Sequence, residues 1–289
     1  MLWIFRFFSV WPLRALHALG GALGWGVWVV NASYRKRFRA HVAQAGWTFD
    51  AAQPAIAEAG RFVAELPRLW LRPFDKSCLD NVEMQGQEIA KEAFAQGKGV
   101  IFFGPHCGSF ELGPQALAEI YGPITAIYRP ARQPSLAAIE LTTRQRPLFN
   151  VLPASLGAIK AMHKALKANQ AVALLTDQVP PEGLGLWAPF FGKPAYTMTL
   201  AARLALQTGA TLLPVSCERL PKGRGYIVKI RPPVELDGNP DLLSTVTRIN
   251  HAIEAIVLSQ PGQYLWGYGR YKTPRQEIPR QDMPKKDSV

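Results

Sequence analysis

Cysteine is scarce in this chain. Cys78, Cys107 and Cys217 are the three present, odd in number and far apart, and no CxxC pair occurs. That argues against a disulfide framework and a cysteine-built zinc site, and fits a reducing compartment. Charge is sparse too: 19% of residues carry it, against about a quarter in an average globular domain. Acidic side chains are the missing ones, 21 Asp and Glu against 33 Lys and Arg, so the formal charge is +12. An excess of that sign implies an anionic partner: nucleic acid, phospholipid headgroups or an acidic protein. Zinc-finger spacing and an RNP-like aromatic motif are both absent, so no nucleic acid is expected and a membrane surface or a phosphorylated lipid is the better reading. The sequence has no internal repeat and no linker long enough to force a second domain. With 48% hydrophobic residues in 289, it has enough apolar mass for one large core or at most two.

What is abundant is apolar and aromatic sequence at the start. Residues 1–30 read MLWIFRFFSVWPLRALHALGGALGWGVWVV, broken by Arg6, Arg14 and His17. A bilayer span takes about 20 apolar residues. The run Ala15–Val30 is slightly short, but snorkelling of Arg14 lets residues 7–30 span. No small-residue cleavage site precedes the basic cluster Arg35, Lys36, Arg37 and Arg39, which argues against a removed signal peptide. Positive residues stay on the cytoplasmic side, so a span places the rest of the chain there. An interfacial helix with a polybasic foot gives the same address. A buried helix of a soluble fold is the third reading.

Residues 34–73 read as helical, with Pro54 near a helix start. Beyond residue 82 the pattern alternates. Gly99–Pro105, Ile124–Tyr128, Ala171–Thr176, Thr211–Cys217 and Tyr226–Ile230 are predicted strands. Ser109–Tyr121, Leu136–Arg144, Ser155–Asn169, Met198–Gln207 and Leu242–Ser259 are predicted helices, the last with Val246, Ile249, Ile253, Ile256 and Val257 on one face. Alternation of this kind implies an α/β fold.

The candidate chemistry follows the first strand, in Gly104-Pro105-His106-Cys107-Gly108-Ser109-Phe110-Glu111. Functional groups of open α/β folds sit beyond the carboxyl ends of strands, where His106 falls. Five residues is about 140° further round an ideal helix, so His106 and Glu111 do not share a helical face. They meet if His106 is in the loop and Glu111 in the first helical turn, with Ser109 as N-cap. A carboxylate accepting one imidazole N–H fixes the tautomer and leaves the other nitrogen as a general base for an acceptor hydroxyl. Alternatives stand beside this: a structural histidine, or Cys107 or Ser109 as nucleophile. GxSxG is absent, and no second histidine lies nearby to build a metal site.

The unit GPHCGSFE resembles the His-x4-Asp/Glu motif of the glycerolipid acyltransferase superfamily, and the longer pattern is similar to the lipid A late acyltransferases. Tyr128-Arg129-Pro130 resembles that family's YRP segment. Thr176-Asp177-Gln178, Trp187–Gly192, Ala195 and Thr197 resemble its D-Q/H and PFFG-x-x-A-x-T block, and Pro214 its late proline. Gln263–Trp266 and Arg270-Tyr271-Lys272 resemble its C-terminal signature. The resemblance implies an α/β fold with a mixed sheet flanked by helices and an N-terminal membrane helix. It divides the chain into an anchor (1–30), an acyltransferase domain (31–274) and a loose basic tail (275–289). The implied reaction moves an acyl chain from acyl carrier protein to a hydroxyl of a lipid A precursor, at the cytoplasmic face of the inner membrane, with no metal or cofactor. His106 is then the base and Glu111 its orienter. Arg129 holds an acceptor phosphate or the oxyanion. Arg144 and Arg146 contact phosphate or form a solvated helix end. Asp177 and Gln178 support the pocket; Trp187, Phe190 and Phe191 line an acyl channel. A glycerophospholipid or amino-acid lipid as acceptor, and an inactive lipid-binding protein, are the competing readings.

Overall fold

The computed structural model describes residues 2–275 apart from Arg132 and Asp237. All of the expected basic tail except Arg275 therefore lies outside the described residues. The chain opens with five helices: α1 (Leu2–Ser9), α2 (Leu13–Val30), α3 (Ala32–Gln44), α4 (Phe49–Ala52) and α5 (Pro54–Trp70). Pro12 separates the first two, since proline suits a helix start and not its interior. The Asn31 side chain caps α3 by accepting the Tyr34 N–H at 2.9 Å. Helix α2 is long and apolar enough to cross a membrane. One of its faces is nevertheless spent on protein, because Leu16, His17, Gly20, Gly24 and Trp28 are buried. Glycine makes that contact possible: a Cβ on Gly60 of α5 would lie 1.9 Å from the Gly20 carbonyl oxygen, and one on Gly24 2.2 Å from that of Ile56. The opposite side exposes Trp25, Val27, Val29 and Val30, continuing Trp3, Phe7 and Val10 of α1 and its turn.

The expected polybasic foot is partly committed to the protein. Arg35 donates to the Trp28 and Val29 carbonyls at 2.6 and 2.5 Å, closing the C-terminus of α2. Arg37 donates to the Gly267 carbonyl at 3.1 Å, and the Arg39 guanidinium lies 5.6 Å from the centre of the Trp28 ring.

The rest is a mixed α/β layer structure. In chain order it comprises β1 (Val82–Gln85), α6 (Gln87–Ala95), β2 (Val100–Gly104), α7 (Gly113–Tyr121), β3 (Ile124–Tyr128), α8 (Pro134–Thr143), β4 (Phe149–Pro153), α9 (Leu156–Lys167) and β5 (Ala171–Leu175). It continues with β6 (Gly185–Phe190), β7 (Lys193–Met198), α10 (Leu200–Thr208), β8 (Thr211–Arg219), β9 (Tyr226–Ile230) and α11 (Leu242–Ser259). Seven strands form one sheet in the order β1-β9-β8-β2-β5-β3-β4, and β6-β7 is a separate hairpin. Strands β8, β2, β5, β3 and β4 run parallel, while β9 is antiparallel to β8. Central β2 is buried throughout, so its sequence VIFFG is continuously apolar. Its side chains still alternate. Ile101 and Phe103 join α10 and α11 in one core, and Val100 and Phe102 join α6 and α7 in the other.

The strands expected at Ile124–Tyr128 and Tyr226–Ile230 and the helix at Leu242–Ser259 have those bounds. Helix α7 begins four residues later than expected, at Gly113, because the chain first makes a turn in which the Ser109 carbonyl accepts from Leu112 and Gly113 N–H. Strand β4 and the pair β1–α6 were not legible as elements, being short and half-exposed.

Because α2 covers α5, deletion of residues 1–30 should leave an aggregating protein, not a smaller soluble one. The α5 surface at Ile56, Ala57 and Gly60, against which Gly20, Gly21 and Gly24 pack, would meet water. Size exclusion in detergent and vesicle flotation check this; a monodisperse, detergent-free truncation would contradict it.

Candidate active site

Two neighbouring parallel strands assemble the site. In the β2–β5 register Gly104 lies opposite Leu175, and the Thr176 N–H donates to the Gly104 carbonyl at 3.2 Å. Two residues beyond that pair come His106 on one strand and Asp177 on the other. They meet twice. Asp177 Oδ2 accepts the His106 backbone N–H at 3.0 Å, and Oδ1 lies 2.6 Å from His106 Nδ1. The carboxylate side chain is 3% exposed and the imidazole 16%. Burial alone would raise the Asp177 carboxyl; the imidazole and the hydrogen bonds from His106 outweigh it and hold the group below the usual aspartate value. An ionised carboxylate there assigns the proton to Nδ1 and leaves Nε2 as the acceptor. Phe110 packs edge-on against the imidazole at 4.7 Å and is itself stacked on Phe62 at 4.1 Å, which fixes the ring plane.

The loop after β2 is held from the far end of the chain. Gly108 has φ +61, and a Cβ there would stand 2.1 Å from the Cys217 carbonyl oxygen, so only glycine fits. Its N–H donates to the Gln263 carbonyl at 3.1 Å, and the Leu265 N–H donates to the His106 carbonyl at 3.2 Å. The Gln263–Trp266 segment of the C-terminal signature is thus a brace for the histidine loop.

Glu111, expected to orient His106, is placed elsewhere. Its carboxylate accepts from Trp70 Nε1 at 3.2 Å and is paired with Arg144. The reason is the turn at residues 109–112, which delays α7 and directs Glu111 toward the end of α5. The position beside Nδ1 is occupied by Asp177. Ser109 is not an N-cap: it is fully buried, and its hydroxyl donates to Glu65 at 2.7 Å. Cys107 is buried as well, and burial pushes its thiol well above the usual value. Neither presents a nucleophile to an incoming substrate.

The remaining candidates divide. The Arg144 guanidinium lies 4.8 Å from the Tyr128 ring centre and 5.4 Å from that of Trp70, so it is neither a solvated helix end nor an uncommitted cation. Arg146 donates to the Leu69 and Trp70 carbonyls at 2.7 and 2.9 Å, closing the C-terminus of α5, and is a helix cap and not a phosphate contact. Arg129, just beyond β3, is exposed, and Gln178 is half-buried beside Asp177. Phe190 is in the core with the Arg270 guanidinium 4.8 Å from its ring, so it does not line an open channel. Phe191 packs partly buried against the same core, and Trp187 is exposed on the β6–β7 hairpin. Arg270 is buried and donates to the Tyr196 carbonyl at 2.8 Å and Thr197 Oγ1 at 2.5 Å, tying that hairpin to the C-terminal segment. Among the described residues no three His, Cys, Asp or Glu side chains are grouped to hold a metal.

A family model for bacterial lipid A biosynthesis acyltransferases matches residues 4–273. The chain belongs to that family. The acyltransferase is 28% identical over 215 residues to the lipid A biosynthesis lauroyltransferase of Escherichia coli strain K12, covering 74% of this chain and 69% of that one. It is 29% identical over 216 residues to the palmitoleoyltransferase of the same strain, with the same coverage. A phosphatidylinositol mannoside acyltransferase of Mycobacterium tuberculosis strain H37Rv is 29% identical over 178 residues, 61% of this chain and 55% of that one. Among solved structures, the acyltransferase is similar to a 1-acyl-sn-glycerophosphate acyltransferase from Thermotoga maritima, with TM-score 0.36 and 16% identity over 84% of this chain and 97% of that one.

Its motif assigns Asp177 to pocket support, whereas the fold places its carboxylate against the imidazole. The signal was there: two buried apolar strands, GVIFFG and AVALLT, end two residues before a histidine and one residue before an aspartate. Their adjacency was not in the sequence.

Proposed function

We propose that this acyltransferase moves a fatty acyl chain from acyl carrier protein to a hydroxyl of a lipid A precursor, with His106 as general base and Asp177 as the carboxylate that orients it. The observation that carries this reading is the 2.6 Å contact between His106 Nδ1 and a buried carboxylate, on an imidazole that keeps access to solvent. His106 Nε2 takes the proton of the acceptor hydroxyl as its oxygen attacks the thioester carbon. The C–S bond then breaks, and the leaving thiolate takes the proton back from the imidazolium. No acyl-enzyme forms. Glu111 is a positioning residue in this account, holding Arg144 beside Tyr128 at the rim, and Arg129 and Arg144 supply positive charge for an acceptor phosphate.

The exposed apolar side chains of α1 and α2 seat the enzyme on the cytoplasmic face of the inner membrane, where a lipid acceptor is presented. Mass spectrometry of lipids made with and without the enzyme, from labelled acyl carrier protein and lipid A precursors, tests the reaction. An added mass of one acyl chain on the precursor supports it; an unchanged precursor removes it. The mycobacterial relative makes phosphatidylinositol mannoside the second acceptor to assay.

An acidic carrier would be steered by the excess of positive charge, including Lys160, Lys164 and Lys167 on the exposed face of α9. The apparent KM for acyl carrier protein should therefore rise with salt while kcat holds, and acyl-CoA should be the poorer donor at low ionic strength. A salt-independent KM, or a preference for acyl-CoA throughout, would assign the basic surface to lipid headgroups alone.

A further inference from the structure

Behind the histidine loop lies a charged cluster that touches no reacting atom. Its centre is Glu65 of α5, 0% exposed. Five donors converge on its two oxygens: Ser109 Oγ at 2.7 Å, Arg219 Nη2 at 2.6 Å and Nε at 2.9 Å, the Tyr226 hydroxyl at 3.1 Å, and His17 Nε2 at 3.1 Å. Arg219 Nη2 also donates to the Gly108 carbonyl at 2.8 Å, and Nη1 to Glu58 at 3.1 Å. Arg61 completes the set, donating to Glu58 at 2.5 Å and to the His17 carbonyl at 3.3 Å. Two carboxylates, Glu58 and Glu65, face two guanidiniums, Arg61 and Arg219. Burial would raise the Glu65 carboxyl, but Arg219 and the donated hydrogen bonds hold it at about 2, so it stays ionised.

A buried ion pair is a poor source of net stability, because desolvation offsets the attraction. What this one supplies is connection. Ser109 and Gly108 belong to the loop that carries His106; Arg219 and Tyr226 belong to β8 and β9; His17 belongs to α2, whose outer face is apolar and exposed. Helix α2 therefore reaches the histidine loop through one carboxylate.

We propose that Glu65 is a positioning residue which makes the placement of the His106 loop depend on α2 being seated against α5, with His17 as the link. The proposal rests on the acyl-transfer reading only for its kinetic readout. Helix α2 seated against α5 by its lipid environment then holds the loop in place, and its displacement from α5 loosens the loop.

The test uses full-length enzyme in phospholipid–detergent micelles. Hydrogen exchange at the amides of residues 106–112 reads loop placement directly and needs no turnover. His17→Leu removes a hydrogen bond to a charged acceptor, and should speed exchange there about tenfold or more. It should lower kcat by a similar factor and leave donor KM within about twofold. His17→Gln keeps a donor and should recover most of both. Gly20→Ala removes no hydrogen-bonding side chain of the cluster; its Cβ would stand 2.7 Å from Arg61 Cα and wedge α2 off α5. It too should speed exchange in the loop. Unchanged loop exchange in Gly20→Ala, with α2 itself exchanging faster, overturns the proposal. So do equal losses in the Leu and Gln variants, which would show a packing role for His17. If the wild type transfers no acyl group, the function is misread, and the exchange results still decide the coupling.

Discussion

Alanine at position 106 is expected to lower kcat by about 10²–10⁴, the usual contribution of a general base. The protein should stay folded. The imidazole is at the edge of the core, and its loop is held by backbone bonds from Gly108 to Gln263 and from Leu265 to His106, which alanine keeps. Single-turnover rates at saturating donor, beside a thermal melt, separate the two outcomes. A variant that turns over within tenfold of wild type and melts normally would end the general-base account.

The second large effect is at Asp177, and it separates the two carboxylates that a His-x4-Glu motif leaves confused. Asparagine at 177 presents an amide to Nδ1, favours the tautomer with the proton on Nε2, and so removes the base while keeping the shape. The corresponding change in a serine protease triad costs about 10⁴. Glutamine at 111 keeps one acceptor where the carboxylate offers two, so it holds Arg144 or Trp70 through its amide oxygen and turns its NH2 on the other donor. Its expected cost is about tenfold. The comparison is made on kcat, with the pH profile of each variant recorded: loss of the tautomer at Asp177→Asn should not be recovered by raising pH. Should Glu111→Gln be the dead variant and Asp177→Asn the active one, Glu111 orients the histidine in the working enzyme, and the closed pair seen here is a resting arrangement.

Much of the fold could be read in advance. Central strands pressed between helices on both faces must be continuously apolar, so VIFFG and AVALL stand out. Helix α11 shows its buried face as a 3.6-residue pattern. Strands β1 and β4 at the sheet edges carry half-exposed, mixed sequences, and nothing local distinguishes them from loop. Helix α7 starts later than its sequence suggests because Ser109, an N-cap residue by composition, gives its hydroxyl to a buried carboxylate 44 residues earlier.

By itself the sequence determined the alternation of strands and helices, the histidine just past a strand, the apolar N-terminus and the family motifs in their order. Those are local properties, written in hydrophobic period, turn residues and short strings. The tertiary structure decided which carboxylate lies beside His106 Nδ1. Strand order is set by how whole layers pack, and it put β5 beside β2 although 66 residues lie between Gly104 at the end of β2 and Ala171 at the start of β5. It also decided that His17 of the apolar N-terminus is a buried partner of Glu65, because three glycines let α2 and α5 approach to backbone contact. Contacts between residues so distant in sequence follow from loop closure and packing of the whole chain, and no window of residues around either partner encodes them.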